Sequence, residues 1–184
     1  MLKKQLFFCL ILFFTLNLYA QDKLSFGVSV MHNFPLNTNG VGIRSQIPLT
    51  NRLIVVPNIK YAPAFNKIHE LYAGLNLHIL IISSAKKTSY QKSRIEPQKP
   101  NLYIIAGADY NHWFNYINSI NLKAKKDNIL PQIGIGTSFG SLTIRFFAEA
   151  KYNILWKETY AEVGVLIYPA LMKLKRKNNC PVIH

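Results

Sequence analysis

Acidic residues are scarce in this 184-residue chain, 8 Asp and Glu against 22 Lys and Arg, for a formal charge of +14. Such a balance ordinarily raises nucleic-acid binding, but composition alone does not gather cations into a patch. Cysteine is scarcer still, with Cys9 and Cys180 alone, which excludes a disulfide scaffold. Past the amino terminus no run of about 18 apolar residues occurs, so no helical membrane span is expected. No long stretch repeats apolar residues at i, i+3, i+4 and i+7, so amphipathic helices are excluded as well. Nine Gly and nine Pro are ordinary and exclude collagen-like or low-complexity classes. What remains is 49% hydrophobic and 16% charged, with ten Tyr and eleven Phe. That is the make-up of one folded domain with a sizeable core.

The first residues carry an export signal. Met1-Leu2-Lys3-Lys4 is a short cationic head, Gln5 to Leu18 is mostly apolar, and Leu18-Tyr19-Ala20 precedes Gln21 as a cleavage site does. Residues 1–20 are expected to be removed, leaving a domain at 21–169 and a basic tail at 170–184. Cys9 lacks a small-residue lipobox and leaves with the signal, so Cys180 stands without an intramolecular partner. Losing Lys3 and Lys4 leaves 20 cations against 8 acids, a mature charge of +12.

Period-two alternation fills the rest, in segments bounded by Pro, Asn, Gly and Lys clusters. Eight strands are predicted, at 24–32, 40–48, 52–62, 68–81, 101–112, 130–138, 141–153 and 157–168. In the seventh, Leu142, Ile144, Phe146, Ala148, Ala150 and Tyr152 alternate with Thr143, Arg145, Phe147, Glu149, Lys151 and Asn153. The fourth sets Leu71, Ala73, Leu75, Leu77 and Ile79 against Glu70, Tyr72, Gly74, Asn76 and His78. A soluble sandwich alternates in the same way. Three features favour a membrane barrel: strands of about 9–14 residues, long enough to cross a bilayer at a tilt; aromatic residues near strand ends (Tyr61, Tyr110, Trp113, Tyr152, Trp156, Tyr160, Tyr168); and Gly or Ala in mid-strand. The expected fold is therefore all-β, an eight-stranded antiparallel transmembrane up-and-down barrel.

With the apolar face toward lipid, the inward ionisable residues are Arg44, Lys60, Arg145 and Lys151 against Glu70, Asp109, Glu149 and Glu162, with His78 beside them. An eight-stranded barrel has an interior just wide enough for side chains to fill. Four cations facing four acids thus predict an ionic plug. Within it, Arg145 and Lys151 are the expected partners of Glu149, which a turn near residue 155 sets opposite Ala161 or Glu162.

The motifs Leu71-Tyr72-Ala73-Gly74-Leu75-Asn76-Leu77, Tyr103-Ile104-Ile105-Ala106-Gly107-Ala108-Asp109-Tyr110 and Ile133-Gly134-Ile135-Gly136-Thr137 carry a resemblance. Behind an export signal, they resemble the small outer-membrane barrels of the OmpA/OmpX/OmpW kind, particularly the "outer membrane protein beta-barrel domain" proteins abundant in Bacteroidetes. The resemblance covers the whole mature chain and implies a fold, a place in the outer membrane of a Gram-negative bacterium, and no shared active site. Both termini are then periplasmic. Loops 33–39, 63–67, 113–129 and 154–156 face outward, and connections 49–51, 82–100 and 139–140 face inward. On that topology Lys86, Lys87, Lys92, Arg94 and Lys99, offset by Glu96, join Lys173, Lys175, Arg176 and Lys177 of the tail to place +8 on the periplasmic side. Anionic lipid headgroups or an acidic envelope partner suit such a surface. Across the membrane, His112-Trp113-Phe114-Asn115-Tyr116 offers an aromatic partner-binding loop, with Trp113, Phe114 and Tyr116 as its contacts.

Chemistry is not expected. The His-x-Ser-Asn spacing of lipid A deacylases is absent, and no Gly-rich loop leads from a strand into a helix. His69-Glu70 and His112 lack a metal-site spacing. No catalytic residue, metal or cofactor is assigned, and export argues against a nucleic-acid partner. The predicted function is a non-enzymatic structural or interaction component of the outer membrane, within a larger envelope complex. The alternatives are a lipid-modifying membrane enzyme, or a secreted soluble barrel holding a small apolar ligand, whose faces would be inverted.

Overall fold

The computed structural model describes residues 24–63, 69–82, 98–114, 126–141 and 143–169. Eight strands run in chain order: β1 (Ser25–Asn33), β2 (Thr38–Pro48), β3 (Leu53–Ala62), β4 (His69–Ile82), β5 (Gln98–Phe114), β6 (Asp127–Gly140), β7 (Ile144–Asn153) and β8 (Glu158–Ile167). Each pairs antiparallel with its sequence neighbour, and β1 with β8, in one closed barrel. Closure follows from the alternation. A strand apolar on one face and polar on the other has no edge that tolerates lipid, so the sheet curls until its first and last strands meet, as they do from Phe26↔Ile167 to Asn33↔Tyr160.

β5 and β6, at 17 and 14 residues, extend beyond the predicted 101–112 and 130–138. Their ladder continues through Asn111↔Asn128 and His112↔Asp127, where the side chains have become polar. Hydropathy alternation fades there before backbone pairing does. The seventh strand begins at Ile144 rather than 141, because Gly140 takes φ 134°. Ser141 then closes a turn, its N–H donating to Ile144 O at 2.8 Å and its Oγ accepting from Ile144 N at 3.1 Å.

Two tight hairpins are built alike. Asn33 Oδ1 accepts from Leu36 N at 3.4 Å, and Asn153 Oδ1 accepts from Leu155 N and Trp156 N at 2.9 and 3.2 Å. The last loop residue, Asn37 or Lys157, takes positive φ of 51° or 57°. An asparagine at the strand end thus supplies the turn's first acceptor. These hairpins, the β3–β4 connection and the β5–β6 connection define one end of the barrel, the loop end. Ser25 and Ile167 lie at the other, the terminus end.

The sides divide as the alternation dictates. Outward positions are apolar and exposed, for example Val28 at 62%, Ile135 at 61% and Val163 at 53%, while Arg145, Glu149 and Glu162 point into the lumen and are buried. A soluble ligand carrier needs the reverse, so that alternative is set aside. The aromatic belt is corrected in part. Tyr61, Tyr110 and Tyr152 are exposed outward at the loop end, whereas Tyr160 is buried inside and Trp156 packs on an inner apolar cluster. Tyr160 lies on the same alternation face as Glu162, and that parity, not nearness to a strand end, sets its direction.

Candidate functional site

The lumen holds a buried ionic layer. Six of the eight residues assigned to it are at most 4% exposed: Arg44, Lys60, Asp109, Glu149, Lys151 and Glu162. They sit on β2, β3, β5, β7 and β8, at inward positions whose neighbours include glycine. Small residues make the room: a Cβ at Gly74 would collide with Asp109 Oδ1, and one at Gly136 with the Tyr103 ring.

Glu149 is the hub. Arg44 grips it with Nη1–Oε1 at 2.6 Å and Nη2–Oε2 at 2.9 Å, a two-pronged pair. Lys151 Nζ reaches Glu149 Oε2 at 2.8 Å, and the Tyr103 hydroxyl donates to Oε1 at 3.0 Å. The register sets Glu149 directly opposite Glu162. Two carboxylates side by side repel unless cations lie between them; here Lys151 bridges to Glu162 Oε2 at 2.6 Å, and Arg44 also pairs with Glu162 Oε1. Lys60 and Asp109 form a second pair at 2.6 Å. Gln132 Nε2 ties that pair to its surroundings, donating to Asp109 Oδ1 at 2.9 Å and to Asn76 Oδ1 at 2.7 Å. His78 stacks on Tyr103 with centroids 4.5 Å apart.

Apolar groups flank this layer on both sides, beside buried polar ones such as Gln46, Asn58 and Asn111. The Arg44 guanidinium carbon lies 4.0 Å from the centre of the Phe147 ring, and Val56, Ile105 and Leu166 are buried nearby in sequence toward the terminus end. Toward the loop end, Met31, Ala62, Tyr72 and Leu130 form a buried cluster on which Trp156 packs. Arg44, Lys60 and Lys151 thus meet Asp109, Glu149 and Glu162 away from bulk solvent, where attraction is strong and an unpaired charge is costly.

The two remaining members stand apart. Glu70 is half-buried nearer the loop end, accepting from the Tyr72 hydroxyl and from Asn111 Nδ2 at 3.4 Å. Arg145 corrects the expected pairing with Glu149: its Nη2 donates instead to Ser138 O at 3.2 Å, and it touches no carboxylate among the described residues. Four positions along one strand span about 13 Å, beyond a side chain's reach, so the partner comes from across the lumen. Arg145→Ala and Glu149→Ala are therefore expected to be additive to within about 0.5 kcal/mol. Unfolding of both single variants and the double in lipid checks it.

Of the expected aromatic loop, Trp113 lies next to the end of β5 with its ring 5.5 Å from that of Trp156. Phe114 points outward at 42% exposure, edge-on to His112 at 4.8 Å; Tyr116 lies outside the described residues. His69 and Glu70 point to opposite faces, His69 meeting the Tyr61 hydroxyl at 2.9 Å. His112 meets Asp127 at 2.6 Å. Among the described residues no group of three or more metal-ligating side chains gathers. Tyr103, Gln132 and Asn76 were not assigned to the network from sequence. All three occupy inward positions, so strand parity was the available signal.

No protein-family model and no curated protein matches the sequence. Solved structures do. The N-terminal β-barrel domain of Pseudomonas aeruginosa OprF superposes with a TM-score of 0.52 at 15% identity, covering 80% of this chain and 97% of that one. A de novo designed transmembrane β-barrel gives 0.51 at 17% identity, over 78% and 92%. At such identities the likeness is one of fold. With the exposed apolar wall and ionic lumen, it defines an eight-stranded transmembrane β-barrel fold.

Proposed function

We propose that this protein is a plugged, non-enzymatic barrel of the outer membrane of a Gram-negative bacterium, serving as a structural or interaction component rather than a pore. What supports this reading is the buried ionic layer across the lumen. Arg44, Lys60 and Lys151 pair with Asp109, Glu149 and Glu162 among tightly buried side chains. Opening a water path would mean parting several buried pairs at once. Outer-membrane lipids are the wall's partners. The loop end, where Phe114 is exposed, is the surface for an envelope protein partner within a larger complex. Nucleic acid has no part in this reading, because export keeps the basic tail away from it. Purified protein in planar lipid bilayers is expected to show no large, stable unitary conductance. A steady open level would overturn the plugged reading.

A further inference from the structure

Among the described residues Arg145 is a buried cation without an anion. It is 8% exposed, and its one hydrogen bond there runs from Nη2 to Ser138 O at 3.2 Å, while Nε is shut off from solvent with no acceptor. Arg44, Lys60 and Lys151, also buried, each hold a carboxylate at 2.6 Å. Buried charges are ordinarily paired, and Arg145 is the exception in this lumen.

The polar groups around it are donors. Arg145 pairs in register with Leu166 of β8, and Leu166 with Gly27 of β1. Two residues nearer the terminus end on the same inward face, Ser25 pairs with Gln46 of β2. Ser25 Oγ is fully buried and has no partner either. Tyr168, half-buried just past β8, stands within electrostatic reach of Arg145 and beside Ser25. Its hydroxyl donates to Gln46 Oε1 at 3.3 Å, which leaves the Gln46 amide hydrogens for a further acceptor. A guanidinium, a hydroxyl and an amide thus face one end of the lumen, with no carboxylate beside them among the described residues.

We infer that Arg145, Ser25 and Gln46 form a binding site for a small free oxyanion, a phosphate or a carboxylate, at the terminus-end mouth of the lumen. Charge selects its sign. Arg44, Lys60 and Lys151 match Asp109, Glu149 and Glu162, so Arg145 is left in excess and a bound anion cancels it. Geometry selects the class, because a planar guanidinium meets two oxygens at once and a hydroxyl and an amide add donors to a third. Space selects the size: an eight-stranded interior is just wide enough for side chains, so an ion of a few atoms enters past Tyr168 and a folded partner does not. The site lies beyond the ionic layer, toward the terminus end, and the inference goes beyond the plugged reading without depending on it.

Urea unfolding of the full chain in detergent micelles, with sodium phosphate exchanged for sodium chloride at constant ionic strength, tests it. At ten times its Kd, phosphate is expected to lower the unfolding equilibrium constant about tenfold, since it binds the folded barrel alone. Sodium acetate in place of phosphate is expected to act through the same residue. Phosphate also favours burial in any protein, so a variant that shares this general effect is the reference. Arg145→Met, which removes the charge and keeps the bulk, is expected to retain only that general part. Should it fail to fold, Arg145→Lys is read in its place; its ammonium lacks the two-oxygen fork and is expected to weaken phosphate several-fold. Equal phosphate dependence in wild type and the variant read, or none in wild type, would overturn the site. Neither outcome alters the conductance expected of a plugged barrel.

Discussion

Glu149→Ala is expected to lower the unfolding free energy of the barrel by about 3–5 kcal/mol, the loss typical when one member of a buried ion cluster is removed. The size follows from what is left behind. Arg44 and Lys151 both pair with Glu149 and are at most 4% exposed; without it they share Glu162 alone. The Tyr103 hydroxyl loses its acceptor as well. Both cations lie among buried side chains, Phe147 against Arg44 and the Met31, Ala62, Tyr72 and Leu130 cluster toward the loop end, so little solvent is at hand to replace the lost carboxylate. Combining Glu149→Ala with Lys151→Met restores charge balance and should recover part of the loss, because contacting residues couple by about 0.5–3 kcal/mol. Urea unfolding of the single and double variants in lipid vesicles measures both. Equal stability of wild type and Glu149→Ala would mean that the ion cluster is solvated and the lumen wet.

Val163→Arg is expected to cost about 2–4 kcal/mol, the penalty for a cation on the lipid face near mid-depth. Val163 is 53% exposed and pairs with Ala148 on one side and Val30 on the other, all outward and apolar. A guanidinium there has no carboxylate among its ladder neighbours, and from mid-depth it must snorkel toward an interface. Reduced recovery in the membrane fraction and loss of heat-modifiable migration are the expected readouts. The inward neighbour supplies the contrast. Glu162 is flanked by cations, so Glu162→Gln should disturb the ion cluster while leaving membrane insertion intact. Unchanged assembly of Val163→Arg would count against the assignment of faces.

The fold was legible because the chain states it locally and repeatedly. Alternation such as Ile144-Arg145-Phe146-Phe147-Ala148-Glu149 specifies strand and facing together: neighbouring side chains in a strand point to opposite sides, so every inward ionic residue is fixed by parity once one is. The same logic fails at strand ends. There His112 and Asp127 pair across the ladder while hydropathy no longer alternates, and tyrosines near the ends divide between lipid and lumen.

What the amino-acid order determined by itself was therefore which face of each strand turns inward. Which inward residues meet was decided by closure. Arg44 and Glu149 are 105 positions apart on β2 and β7, strands separated in the barrel by β1 and β8, and nothing in local pattern relates them. Closing the sheet brings opposite walls within the reach of a side chain, whereas Arg145 and Glu149, near in sequence, are held about 13 Å apart by the extended strand that carries them. The pairing of the plug is thus a property of barrel diameter and register, which exist only in the tertiary structure.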